Sequence, residues 1–151
     1  MKNMMKGFIF LFVISHSLMG MAEPIEIKQV LKTTNSWNDV PLPGFSAGQT
    51  EFTVLTFKIA PGAKTAIHMH PMNGAGYVLS GELTMYATKD PHGNFADNKL
   101  VKKINLTTGQ AWTETVNTWH YGENNTKKEV EFILIFAGAA ATPPTLSITH
   151  S

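Results

Sequence analysis

The chain has 151 residues, 43% hydrophobic and 15% charged, with a formal net charge of +1. That composition fits one globular domain and excludes a disordered chain, a collagen or a coiled coil. Cysteine is absent, which rules out disulfides, thiolate metal sites and cysteine nucleophiles and leaves nitrogen and oxygen as the only metal-binding atoms besides thioether.

Residues 1–22, MKNMMKGFIFLFVISHSLMGMA, place Lys2 and Lys6 ahead of an apolar stretch from Phe8 to Leu18, with Gly20 and Ala22 at cleavage spacing. This is the pattern of a secretory signal peptide cut after Ala22, and it predicts export to the periplasm or the exterior. The apolar run is interrupted by His16 and falls short of the roughly 20 residues a spanning helix needs, so no stable membrane anchor is expected after cleavage. Removing Lys2 and Lys6 turns the excess of Lys+Arg 12 over Asp+Glu 11 into a charge of about −1. No basic stripe remains for a phosphate backbone, and nucleic-acid binding is not expected.

Residues 23–48 read as an N-terminal arm. Glu26 to Lys32 allows a helical turn at most, and SWNDVPLPGFSAGQTE, with two prolines and two glycines, crosses a surface rather than forming an element. Strand chemistry then dominates. EFTVLTFKIA (51–60), TAIHMH (65–70), AGYVLS (75–80), ELTMYAT (82–88) and EVEFILIFA (129–137) are dense in β-branched and aromatic residues and are divided by turn signals such as Pro61-Gly62. The result is one all-β domain over 49–140, a sandwich or a barrel. DPHGNFADN (90–98) reads as a solvated hairpin loop in which His92 is idle. Residues 141–151 form an extended C-terminal tail whose His150 is too near the end to be a fixed ligand.

Three histidines remain. In a strand, alternate side chains share a face, so His68 and His70 point together and Met69 points away. Such a pair closes on one ion, and His120 in the strand-like TWHYG supplies a third imidazole. The plainer reading of His-x-His is two polar side chains on a solvated face.

The surroundings decide between these readings by resemblance. Gly62, five residues, His68-Met69-His70, three residues, Gly74, six residues and Gly81 resemble the first motif of the cupin superfamily, with Gly74 where that motif has glutamate. Gly109, five residues, Thr115-Val116-Asn117, two residues, His120, three residues and Asn124 resemble the second motif, whose Pro-x-Gly is replaced. The resemblance implies a single-domain antiparallel jelly-roll barrel with His68, His70 and His120 as metal ligands. Asn117 is expected to take the left-handed turn conformation that glycine would take.

Gly74 offers no ligand. Three neutral imidazoles leave a divalent ion its full charge, so open positions should favour anions. Asn73, Tyr77, Glu82 and Glu114 carry oxygens suitable for an additional ligand, and Trp112 and Trp119, beside the second motif, suit a pocket mouth as well as packing. Tyr77, Val78 and Leu79 read first as core. Fe, Mn, Ni, Zn and Cu all fit three imidazoles, with Fe(II) placed first because some cupin dioxygenases use three histidines without an acid. Met69 and Met72 raise Cu(I), which the outward direction of Met69 disfavours. Asn105-Leu106-Thr107 and Asn124-Asn125-Thr126 match the glycosylation pattern.

Two functions of different class follow. One is a metal-dependent cupin enzyme, a dioxygenase or isomerase, acting on a small anionic substrate. The other is a cupin module that binds a small ligand or metal without chemistry. The resemblance also implies a homodimer, formed by sheet extension or by exchange of the arm.

Overall fold

The computed structural model describes residues 25–89 and 100–147. The expected signal peptide, the loop at 90–98 with His92, and His150 lie outside the described residues. Among the described residues there is no helix and there are nine strands: β1 (Thr50–Ile59), β2 (His68–Met69), β3 (Asn73–Ser80), β4 (Glu82–Thr88), β5 (Leu100–Thr107), β6 (Ala111–Thr113), β7 (His120–Glu123), β8 (Val130–Ala139) and β9 (Leu146–Ser147). They form two antiparallel sheets, one in the order β1-β8-β3-β6 and one in the order β5-β4-β7-β2-β9. This is the jelly-roll arrangement that the motifs imply.

Alternation in the strands builds the core between the sheets. Val130, Phe132, Leu134 and Phe136 of β8 point inward, and Glu131, Ile133 and Ile135 between them are half-buried or exposed. Leu55 and Phe57 of β1 pack on that core, and Phe57 stacks on its cross-strand partner Phe132 with ring centroids 5.0 Å apart. Strand β4 contributes Leu83, Met85 and Ala87 from the other sheet.

Strand β3 departs from the expected run of core residues. Val78 is fully buried, whereas Leu79 points outward and Tyr77 is half-buried. The other inward positions of β3 are Gly74 and Gly76, and their missing side chains make room. A Cβ on Gly76 would stand 2.2–2.4 Å from three atoms of the Trp112 ring, and Gly76 is the cross-strand partner of Trp112. A small residue on β3 therefore lets a large one on β6 lie across it.

The turns follow the motif residues. Gly81 (φ +83°) reverses the chain between β3 and β4, and a Cβ there would meet the Glu129 carbonyl at 2.6 Å, so only glycine fits. Asn117 has φ +53°, the left-handed conformation expected of it. Asn124 is wholly buried and bonded on both ends: its amide donates to the carbonyls of Ile59 (2.8 Å) and Lys128 (2.7 Å), and its carbonyl accepts from the Thr126 backbone and hydroxyl. It ties the start of the barrel to the turn before β8. An enzyme cannot reach it for glycosylation in the folded protein.

Residues 26–32 form no helical turn; the arm doubles back in a tight turn, with Asn35 bridged to Pro41 and the Ser36 N–H donating to the Val40 carbonyl, and it is fixed by Trp37, which is buried and donates its backbone N–H to the Thr113 carbonyl.

Candidate metal centre

Strand β2 is two residues long because Pro71 follows His70 and cannot donate to a ladder. It runs between β7 and β9, with His68 directly opposite His120 on one side and Ser147 on the other. His70 lies just beyond it, where its backbone carbonyl accepts from Asn117 at 2.9 Å. Thus the left-handed turn at Asn117 holds the first motif against the second. The three rings meet with centroids 4.4–4.9 Å apart, and one nitrogen from each lies within 4.8 Å of the others.

Backbone carbonyls fix which nitrogen is available. His68 Nδ1 is 2.7 Å from the Ala66 carbonyl, His70 Nδ1 is 2.7 Å from Pro144, and His120 Nδ1 is 2.8 Å from Thr118. A carbonyl only accepts, so each Nδ1 carries the hydrogen and each neutral ring keeps its lone pair on Nε2. Burial pushes the His70 pKa down to about 4, against the pull of Glu114, and pushes His120 down to about 3, with His68 adding to the effect. Both rings are therefore neutral near pH 7, the form that binds a metal.

The Nε2 atoms of His70 and His120 are buried without a hydrogen-bond partner. Buried polar atoms are normally satisfied, and here two bare lone pairs converge with that of His68. A divalent cation meets this need. The donor set, three neutral imidazoles, suits Fe, Mn, Ni, Zn or Cu and does not choose among them.

A carboxylate stands beside the imidazoles. Glu114, at 1% exposure, follows β6, and its Oε1 accepts from the indole N–H of Trp112 at 2.8 Å. Its Oε2 has no donor and lies 3.5 Å from His120 Nε2 and 4.0 Å from His70 Nε2. The glycine opening on β3 explains how it gets there. Glu114 donates its backbone N–H to the Gly74 carbonyl, and a Cβ on Gly74 would meet Phe136 at 2.7 Å and Glu114 Cγ at 3.2 Å.

A cavity of about 210 Å³ opens onto His68, His70 and Glu114. Its walls are mainly apolar, with Phe57, Met85, Trp112, Phe132 and Leu134, and Thr65, Thr145 and Ser147 add hydroxyls. The tail thus does more than trail away from the barrel: β9 flanks β2, Pro144 orients His70, and Thr145 and Ser147 line the cavity.

The remaining residues singled out in the sequence stand elsewhere. Asn73 donates to the Pro43 carbonyl at 2.9 Å and lines surface grooves near the arm. Tyr77 has its hydroxyl near Gly109, Glu82 pairs across with Thr107, and the Trp119 carbonyl accepts from Thr88. None of the four lines the histidine cavity. Trp37 approaches His120 edge-on, with centroids 6.5 Å apart. Of the site's less evident parts, Trp112 was detectable by its two-residue spacing from Glu114, whereas the Pro144 carbonyl gave no sequence signal.

An all-β jelly roll with three histidines poised for one metal ion defines the class of this protein. The family model described as "Cupin domain" matches residues 55–136, more than half of the chain. The chain belongs to the cupin family. No curated protein gives a sequence match. Among solved structures, an oxalate oxidase in complex with the substrate analogue glycolate is similar at 21% identity and TM-score 0.51, covering 64% of this chain and 46% of its own. Bacillus subtilis oxalate decarboxylase, in a study of its Mn(II) centres, gives 21% and 0.51, covering 64% and 24%. The DMSP lyase DddQ from Ruegeria pomeroyi DSS-3 gives 12% and 0.50, covering 64% and 42%. The chain thus spans less than half the length of these three, and at such identities the likeness is one of fold.

Proposed function

We propose that this protein is an exported cupin enzyme that holds a divalent metal ion on His68, His70 and His120 and acts on a small anionic molecule in the adjoining cavity. The observation that carries the reading is the convergence of three imidazoles, each with Nδ1–H bound to a carbonyl, on one point beside a cavity. A metal ion bound there would polarise an oxygen of the substrate or, if redox-active, support oxygen chemistry. The chain's own part is to hold the ligand nitrogens neutral and aimed, and to keep water from the apolar walls. The similar structures include an oxalate oxidase in complex with glycolate and an oxalate decarboxylase with Mn(II) centres, which supports metal chemistry on small anions.

A second reading, a binding module without catalysis, is favoured by one observation. Besides His68, His70, Glu114 and the Trp112 indole that Glu114 engages, the cavity lining contains only hydroxyl groups as polar side chains. Metal content by mass spectrometry on protein purified without chelator, for wild type and His120→Ala, tests the metal site. Stoichiometric metal lost in the variant supports it; unchanged metal in the variant overturns it. Oxygen uptake with candidate anions then separates enzyme from module, and export predicts a mature N-terminus at Glu23 on sequencing.

A further inference from the structure

Building on the three-histidine reading, we propose that Glu114 is the fourth protein ligand, supplying from the end of β6 the carboxylate that Gly74 lacks. We propose further that the resulting site selects singly charged ligands with an apolar body over dianions.

Three observations support the ligand role. First, Glu114 Oε2, His70 Nε2 and His120 Nε2 are all buried and all without a hydrogen-bond partner. A carboxylate oxygen facing two lone pairs is repulsive unless a cation lies among them. Second, the separations suit one ion. Two donors each about 2.1 Å from one ion stand at most about 4.2 Å apart, and Oε2 lies 3.5 Å and 4.0 Å from the two nitrogens. Third, the carboxylate is positioned: Trp112 holds Oε1 at 2.8 Å, which leaves Oε2 as the free oxygen. Position 74 is closed to a side chain by Phe136 and by Glu114 itself. The glycine and the glutamate form a complementary pair on neighbouring strands, one making the space that the other fills.

The charge consequence follows directly. A divalent ion, three neutral imidazoles and one carboxylate sum to a single positive charge. The chain has no arginine, and no lysine lines the cavity. A monoanion neutralises the site. A dianion would leave an uncompensated negative charge against Phe57, Met85, Phe132 and Leu134, an expensive placement.

The test uses Mn(II) as the probe metal, with affinity read by calorimetry and bound Mn(II) by electron paramagnetic resonance, on the full chain. Glu114→Gln keeps an oxygen for the Trp112 indole, so a merely structural glutamate predicts unchanged Mn(II) affinity. The ligand role predicts a loss of at least about ten-fold. Glu114→Asp, which withdraws the carboxylate but keeps its charge, should also lose affinity and serves if the Gln variant is unfolded by circular dichroism. Butyrate and succinate, equal in carbon number and different in charge, are then titrated into Mn(II)-loaded wild type. Butyrate should bind at least about ten-fold tighter, and the gap should close in Glu114→Gln. Equal binding of the two by wild type overturns the selectivity. Wild-type Mn(II) affinity in Glu114→Gln, with loss in His120→Ala, overturns the ligand role and leaves the three-histidine site standing. Retention in His120→Ala removes the underlying reading.

Discussion

Gly76→Ala is a one-methyl test of how β3 and β6 build the site together. The added Cβ would stand 2.2–2.4 Å from three atoms of the Trp112 ring, well inside contact distance. The ring has no easy retreat. It is buried, stands edge-on to Phe132 at 5.7 Å, and donates to Glu114. Overpacking of this kind costs about 1–3 kcal/mol. Displacing the indole also breaks a hydrogen bond to a carboxylate, worth about 1.5–3 kcal/mol. Alanine returns about 0.5–1 kcal/mol through its lower unfolded-state entropy. The expected net loss is about 2–5 kcal/mol, read as a lower urea midpoint of the metal-free protein at unchanged slope. Gly44→Ala is the control, because a Cβ there meets nothing within 4 Å, and its midpoint should hold or rise slightly through the same entropy. A Gly76→Ala protein within about 0.5 kcal/mol of wild type would refute the packing argument.

The acid limb of stability carries its own sign. His70 and His120 have folded pKa values of about 4 and about 3, below the 6.5 of an unfolded histidine. Below pH 6.5 the unfolded chain takes up protons that the folded one does not, so stability of the metal-free protein is lost as pH falls from 6.5 towards 4 and 3. Between pH 7 and 5 the loss is about 2 kcal/mol per histidine, and equal urea midpoints at the two pH values would contradict it. Asn124→Ala removes four hydrogen bonds at a wholly buried position and should lower stability by about 3 kcal/mol in the same assay, with wild-type stability as the refuting result. A chain ending at Pro143 lacks the carbonyl that orients His70 and should bind Mn(II) about 10–100-fold more weakly by calorimetry; undiminished affinity would show that Pro144 has no such role.

The long strands were legible because their alternation is strong. The run at 82–88 coincides with β4, and those at 51–60 and 129–137 are displaced from β1 and β8 by one or two residues. β6 and β9, at three and two residues, are too short to show a period, and Lys102-Lys103 interrupts the alternation of β5. The histidines were legible because two of them share one strand face and the third lies at motif spacing. The position of Glu114 was harder to read. Its oxygen was noted, but its approach to the histidines depends on the register of β3 against β6 and on two inward glycines, and neither is a local property of the sequence. Gly74 looked like a lost ligand, whereas the folded chain uses it as space.

The hydrogen bond from His70 to Pro144 spans 74 residues. During synthesis, a chain extended as far as His120 already contains all three imidazoles, yet the group that orients the second of them has not been made. Loop closure over such distances is slow and comes late in the folding of β barrels. Metal taken up before that point would meet loosely held histidines. Acquisition of an ion at the three histidines would therefore be coupled to completion of the barrel, and a tightly bound metal would report that the last strand has docked.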